Sequence, residues 1–325
     1  MKRLMQDLKT GELKSIYLLC GEEAYLRKQY RDKIRDAVFP DGDSMNYHYY
    51  EGKGIITGEI IDLAETMPFF AEKRLIIMEN SGLLKSGGEQ MADYVKEAAE
   101  TAILVFVETE IDKRSRLYKA IHSVGAIAEF PAQDESTLKR WVLGILKKEG
   151  KQITERTLLY FLEKTGTDMA NIRSELDKLI CYCLDKEVID IADVEQITVS
   201  QTTNQIFEMI NAIADKKKKA ALGYYYDLLA QKEPSMRILF LIGRQFNTLL
   251  QVKELKKKGY DNKTIGAKVG LPGFIAGKYC AQAQKFTTRD LRDAVESCVA
   301  ADEAIKTGRM NDIMSVELLI VKYSS

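Results

Sequence analysis

Five short apolar runs punctuate the first 130 residues: Ile16–Cys20, 45–50, 74–78, 102–107 and 126–130. Between them lie segments whose apolar residues recur at helical spacing: 23–38, 58–66, 89–99 and 113–122. Thr57 is placed to cap the second of these, where Ile60, Ile61 and Ala64 share a face. Runs apolar on both faces suit a parallel sheet covered by helices on each side. The alternation therefore predicts an α/β domain with a five-stranded, doubly wound parallel sheet. After Pro131 the pattern becomes helical. Ser136 is expected to cap a helix ending at Gly150, and Thr154 and Asp168 to open two more. Strand-like pieces are nearly absent from there on. A polar stretch at 200–204 separates these helices from longer patterns at 206–214, 217–230, 235–258, 263–284, 288–307 and 313–322. Thr287 and Asp290 have capping-box spacing. The expected domains are 1–135 (α/β), 136–204 (small, all-α) and 205–325 (all-α).

Composition narrows the class. The 325 residues are 46% hydrophobic and 30% charged, enough apolar matter for several packed cores. Basic and acidic residues balance at 48 each, but unevenly along the chain: net −4 over 1–140, −3 over 141–204 and +7 over 205–325. The basic excess gathers in Lys216, Lys217, Lys218 and Lys219 and in Lys256, Lys257 and Lys258. These are the candidate contacts to DNA backbone or an acidic partner. No apolar run reaches the roughly 18 to 20 residues of a membrane span. The first ten residues alternate charge with Leu and lack the apolar core of a signal peptide. Five scattered Cys suggest no disulfide framework and a reducing, cytoplasmic setting.

Catalytic chemistry finds little support. A phosphate-cradling loop needs G-x-x-x-x-G-K-[ST], so that backbone N–H groups face phosphate and the Lys pairs its charge. The first run is followed instead by Gly21-Glu22-Glu23-Ala24-Tyr25-Leu26-Arg27, with one Gly and two carboxylates where phosphate would sit. The third run ends Met78-Glu79-Asn80, one carboxylate where magnesium chemistry wants more. His48 and His122 are far apart in sequence, and Cys181 and Cys183 should point to different helix faces. Cys20, Cys280 and Cys298 read as small buried hydrophobes. We expect no catalytic residue, no metal and no cofactor.

One segment does look functional: Met67-Pro68-Phe69-Phe70-Ala71-Glu72-Lys73-Arg74. Pro68 disfavours helix at Met67, so the preceding helix must stop near Thr66. Adjacent side chains oppose on a strand and diverge by about 100° on a helix. Hence at least one of Met67, Phe69 and Phe70 should face water at a helix-to-strand corner. Two readings stand: all are core plugs that close the bottom of the sheet, or they are an apolar anchor for a partner pocket.

Several stretches, in order, resemble the delta subunit family of bacterial DNA polymerase III. They are 16–26 (Ile-Tyr-Leu-Leu-Cys-Gly-Glu-Glu-Ala-Tyr-Leu), Met67 to Leu75, Asp112 to Lys119, Gly166-Thr167-Asp168 with 175–179 (Glu-Leu-Asp-Lys-Leu), and 302–308 (Asp-Glu-Ala-Ile-Lys-Thr-Gly). The resemblance implies an AAA+-like domain without a working ATP site, a helical lid and a collar that oligomerises with sister subunits. It implies a clamp-loader subunit of the polymerase III holoenzyme, a DNA-directed DNA polymerase and nucleotidyltransferase assembly. Its partners would be the ring-shaped sliding clamp (beta subunit), the other loader subunits and primed DNA, with no membrane. The lid helix of active relatives often starts Gly-x-x-Arg; here Met169 stands at that spacing from Gly166, and Arg173 lies one turn later. In the family an apolar pair in the first domain enters a pocket on the clamp and lets the ring open. The matching positions are Phe69 and Phe70, with Met67 and Pro68 beside them. A rival reading is a DNA-binding protein that uses the helix-turn-helix-like segment 262–284, although few base-reading side chains follow Pro272. A third is an ATPase with an atypical site.

Overall fold

In the computed structural model, which describes residues 2–42, 45–198, 202–271 and 273–325, the chain divides into two compact units, Met1–Gln133 and Asp134–Ser325. The first runs α1 (Lys2–Thr10), β1 (Ile16–Cys20), α2 (Ala24–Val38), β2 (Tyr47–Glu51), α3 (Thr57–Glu65), β3 (Arg74–Glu79), α4 (Glu89–Tyr94), β4 (Ala102–Glu108), α5 (Arg116–Val124) and β5 (Ala126–Glu129). All five strands are parallel, in the order β2-β3-β4-β1-β5. Every residue of β1 and β4 is buried, as a two-sided covering of helices demands. Ile16, Leu18, Cys20, Ile76, Met78, Leu104 and Phe106 meet Ile60, Met91, Leu117 and Ile121 of α3, α4 and α5 on one face. The alternate residues, such as Tyr17 and Leu19, turn to the other face, where α2 packs on β1.

The sequence reading assigned no helix to residues 2–10, although Leu4 and Leu8 stand one turn apart, and the segment forms α1. It docks by burying Leu4, and Tyr17 donates from its hydroxyl to the buried Asp7 carboxylate at 2.9 Å. Other boundaries differ from sequence expectation. Ile56, not Thr57, occupies the N-cap of α3, and it supplies no side-chain acceptor. α4 stops at Tyr94 rather than continuing to 99: past Val95 the bonds tighten to three residues back, Lys96 N–H to Asp93 O at 3.4 Å and Glu97 N–H to Tyr94 O at 3.0 Å, and the chain then curls so that Ala102 N–H bonds Ala99 O at 3.0 Å and enters β4. α5 opens at Arg116, capped by Ser115.

The second unit contains α6 (Glu135–Lys148), β6 (Gln152–Ile153), α7 (Glu155–Thr165), α8 (Met169–Tyr182), β7 (Val188–Ile189), α9 (Ile191–Ile197), α10 (Thr202–Ala214), α11 (Lys218–Ala230), α12 (Ser235–Lys257), α13 (Asn262–Val269), α14 (Gly273–Gln284), α15 (Thr288–Lys306) and α16 (Asp312–Ser324). Asp134 rather than Ser136 caps α6, because its carboxylate already accepts from Thr137 N–H at 2.8 Å; Ser136 donates to that same carboxylate. Thr154, Asp168 and the Thr287–Asp290 capping box open their helices as their spacing suggested. β6 and β7 form a two-stranded parallel pair that the helical pattern concealed. α10 to α16 share one core around α12, including Ile210, Tyr225, Phe246, Leu291 and Ile320. Of the polar stretch at 200–204, residues 202–204 begin α10, whereas Ser200 and Gln201, like Pro272, lie outside the described residues.

Candidate functional site: an exposed aromatic corner

The chain from the end of α3 to the start of β3 forms a corner. α3 ends at Glu65 with Thr66 as its C-cap in extended backbone, so the helix stops before Met67, the residue that Pro68 keeps out of helical geometry. Beyond it, Met67 is 74% exposed, Phe69 55% and Phe70 95%, with Pro68 half-buried. All three large apolar side chains face solvent, more than the one that the dihedral argument required. The two rings meet edge to face with centroids 4.6 Å apart, a geometry in which each partly shields the other. Phe70 sits at φ 49°, the left-handed region that costs a side-chain-bearing residue about 1–2 kcal/mol.

Two buried polar side chains hold this corner. Asn46, fully buried just before β2, accepts from Phe69 N–H at 2.8 Å and donates from Nδ2 to Phe69 O at 2.9 Å. Its own carbonyl accepts from Leu75 N–H at 2.9 Å, which ties the start of β2 to β3. Arg74, 6% exposed, donates from Nη1 to Leu63 O and Thr66 O at 2.6 and 3.0 Å, and from Nη2 to Met67 O at 3.1 Å. It thereby joins Thr66 N–H at the Leu63 carbonyl and meets the Thr66 and Met67 carbonyls beyond the end of α3. The sequence reading gave neither residue a role: Asn46 falls inside the extended run 45–50 and Arg74 opens the apolar run 74–78. An Arg opening an otherwise apolar strand was the available signal.

His48 lies beneath the same corner. Its Nε2 is buried and has no hydrogen-bond partner among the described residues. Burial, and then the Arg74 guanidinium, hold its pKa below the usual value of 6.5. A base whose folded pKa is depressed takes up its proton more readily when unfolded, so folding loses stability as pH falls below about 6.5. His48→Gln should therefore gain stability relative to the parent chain between pH 7 and 5.5. Urea unfolding at several pH values checks this; a constant difference would exclude His48 as a source of acid sensitivity.

The turn after β1, where a nucleotide fold would hold phosphate, is filled by the chain itself. Gly21 adopts φ 119°, and a Cβ there would collide with the Phe130 carbonyl. That carbonyl accepts from Glu23 N–H at 3.0 Å, and the Glu23 carboxylate caps α2 by accepting from Tyr25 N–H at 3.2 Å. Arg27 donates to Gly21 O and to Thr109 Oγ1. At the end of β3, the Glu79 carboxylate is engaged by Arg31 and by the Tyr49 hydroxyl. Among the described residues no cluster of three or more His, Cys, Asp or Glu has the arrangement of a metal site. His48 and His122 lie on separate elements, β2 and α5. Cys181 is exposed and Cys183 buried, as a C-x-C pair on one helix requires; Cys20, Cys280 and Cys298 are buried.

In the second unit the lysines occupy helix ends. Lys216, at φ 59°, and Lys217, Lys218 and Lys219 stand exposed at the start of α11, where their charge opposes the helix dipole. Lys216 Nζ donates to Tyr323 O at 3.2 Å, and Lys217 pairs with Asp215 at 3.6 Å. Lys256, Lys257 and Lys258 are exposed at the end of α12, where the dipole favours them; Lys257 pairs with Glu254 at 3.3 Å. The helix-turn-helix-like pair, α13 and α14, packs on α12 and buries Ile265, Ala276, Tyr279, Cys280 and Ala283. The exposed positions of α14 include Gly277, Lys278, Ala281 and Gln284, and Lys278 pairs with Glu163 of α7. Arg173 pairs with Asp177, four residues on along α8, at 2.8 Å.

Two family models match this chain. Residues 17–130 match the model of DNA polymerase III, delta subunit, and residues 203–323 match that of the C-terminal domain of the DNA polymerase III delta subunit. The chain belongs to the DNA polymerase III delta subunit family. Members of this family are clamp-loader subunits that serve DNA replication, and the five-stranded parallel α/β domain followed by helices is their fold. A similar curated relative is the DNA polymerase III subunit delta of Bacillus subtilis, 26% identical over 98% of this chain and 95% of its own. The probable DNA polymerase III subunit delta of Aquifex aeolicus is 23% identical over 88% of this chain and 85% of its own. A solved structure of the Bacillus subtilis DNA clamp loader delta protein superimposes with a TM-score of 0.70 at 26% identity, over 99% of each chain. The aromatic corner falls within the first of the two matches, and both lysine clusters fall within the second. Among the described residues no helix is long and apolar enough to cross a membrane.

Proposed function

We propose that this chain grips the ring-shaped sliding clamp, the beta subunit, through Met67, Pro68, Phe69 and Phe70, and favours the opened ring so that it can be loaded on primed DNA. The observation that carries the proposal is the pair of solvent-facing rings, edge to face on a corner fixed by buried polar groups. Isolated surface Phe residues are common. An exposed aromatic pair, with Phe70 on left-handed backbone and Phe69 held from below, is the form of an interface anchor. Burying two Phe contributes roughly 1.5–3 kcal/mol each. That contact becomes work only where the open ring accepts the anchor better than the closed one, since a ligand shifts an equilibrium by its differential affinity alone.

ATP is bound and hydrolysed by sister subunits in this reading. The chain-filled turn at Gly21 and the engaged Glu79 favour it over an atypical ATPase. Within the second unit, 136–204 acts as the lid and 205–325 as the collar that joins the other loader subunits. Lys216 to Lys219 and Lys256 to Lys258 add salt-sensitive contact with DNA backbone or an acidic partner. The poor base-reading face of α14 disfavours the helix-turn-helix alternative. The five free thiols suit a reducing cytoplasm. Mixing the chain alone, without nucleotide, with purified clamp should give a complex on size exclusion and release of clamp preloaded on nicked circular DNA. Absence of a complex at micromolar concentrations would remove the reading.

A further inference from the structure

We propose that Asn46 and Arg74 are positioning residues for the aromatic anchor: they hold the 66–70 backbone in its raised form before any partner arrives. The inference rests on the anchor reading above and deepens it. Phe70 combines near-complete exposure with left-handed backbone. Its own side chain therefore gains little from the fold, and the conformation must be imposed from elsewhere. The imposing contacts are explicit. The Asn46 carboxamide binds both the N–H and the carbonyl of Phe69, fixing the residue immediately before the strained one in direction as well as in place. The Arg74 guanidinium gathers the carbonyls of Leu63, Thr66 and Met67, so the α3 terminus and the corner move as one piece.

Both side chains are buried, and both spend donors on corner backbone. A short apolar loop between a helix and a strand would otherwise sample many conformations, including ones that fold the rings back onto the protein. Ordering it on contact would lower affinity without altering a single interfacial atom. The clasp removes that cost in advance. It also explains why polar groups stand where an apolar core would be simpler: Asn46 and Arg74 bond the Phe69 N–H and carbonyl and the Thr66 and Met67 carbonyls beyond the end of α3.

The test has two arms on the full chain. In the free protein, Asn46→Ala should speed amide exchange at Phe69 by tenfold or more while β3 and β4 amides keep their protection. Unchanged exchange at Phe69, or loss of protection throughout the sheet, overturns the assignment. In titration with purified clamp, Asn46→Ala and Arg74→Met should each weaken binding about tenfold, with Arg74→Lys recovering only part. In the Phe69→Ala/Phe70→Ala background the Asn46→Ala change should cost no further affinity. Equal losses with and without the rings would show a general structural role and overturn the proposal. If the parent chain itself fails to bind clamp, the functional reading falls, while the exchange arm still decides whether the clasp holds the corner.

Discussion

Phe69→Ala/Phe70→Ala should weaken clamp binding by at least about a hundredfold while leaving the fold intact. The rings bury little within the free molecule, so removing them costs the native state within about 0.5 kcal/mol, the usual range for exposed positions. In a complex both would lose water. At roughly 1.5–3 kcal/mol per ring the loss is about 3–6 kcal/mol, or roughly two to four orders of magnitude in Kd. Isothermal titration against purified clamp, with thermal unfolding in parallel, measures both quantities. Unchanged affinity would reject the anchor; a large fall in melting temperature would instead make the rings part of the core. Phe70→Gly separates the two effects further. It deletes the ring and also relieves the left-handed strain, so it should bind as poorly as Phe70→Ala and be more stable than it by about 1 kcal/mol. A residue whose loss improves stability and abolishes binding is retained for binding.

Gly21→Ala should destabilise the first unit by roughly 2–5 kcal/mol. At φ 119° the backbone lies where side-chain-bearing residues are strained, and the new methyl would meet the Phe130 backbone rather than a side chain that can swing away. The hydrogen bond from Glu23 N–H to Phe130 O, which closes β5 over the turn, would be pushed apart. Denaturant midpoints by circular dichroism, with amide exchange in β1 and β5, would register the loss. A change below about 0.5 kcal/mol would mean that the turn relaxes freely. The effect gives this glycine a physical role distinct from phosphate binding: it admits a neighbouring main chain, not a ligand.

Much of this architecture could be read one segment at a time. Ile16–Cys20 is apolar at every position and emerges as β1 with those bounds. Thr154, Asp168 and Thr287 announce helix starts because a cap needs only an oxygen two or three residues ahead of an N–H. Errors arose where two local candidates competed, as Asp134 and Ser136 did for α6. They arose also where the helical period continued past the point at which the chain had to return to the sheet, as after Tyr94. The helix α1 has Leu4 and Leu8 one turn apart, but the segment is short and interleaved with charge, which masked it until Leu4 and Asp7 were seen docked. The corner was legible in part: Pro68 and two adjacent Phe forced a turn with an exposed ring. That Met67, Phe69 and Phe70 all face water was not.

β6 and β7 escaped local sequence, which suffices for the five strands of the first unit, most helix starts, the altered nucleotide turn and the place where apolar side chains must meet solvent. All of these follow from hydrophobic period, capping and backbone restriction acting within a few residues. Only the tertiary structure decided the strand order β2-β3-β4-β1-β5, the closure of Phe130 over Gly21, and the clasp that joins Asn46 to Phe69 across 23 residues. Those are pairings between segments distant along the chain. A buried amide or guanidinium must satisfy its hydrogen bonds with whatever backbone the packed sheet brings beside it, and that neighbour has no local code.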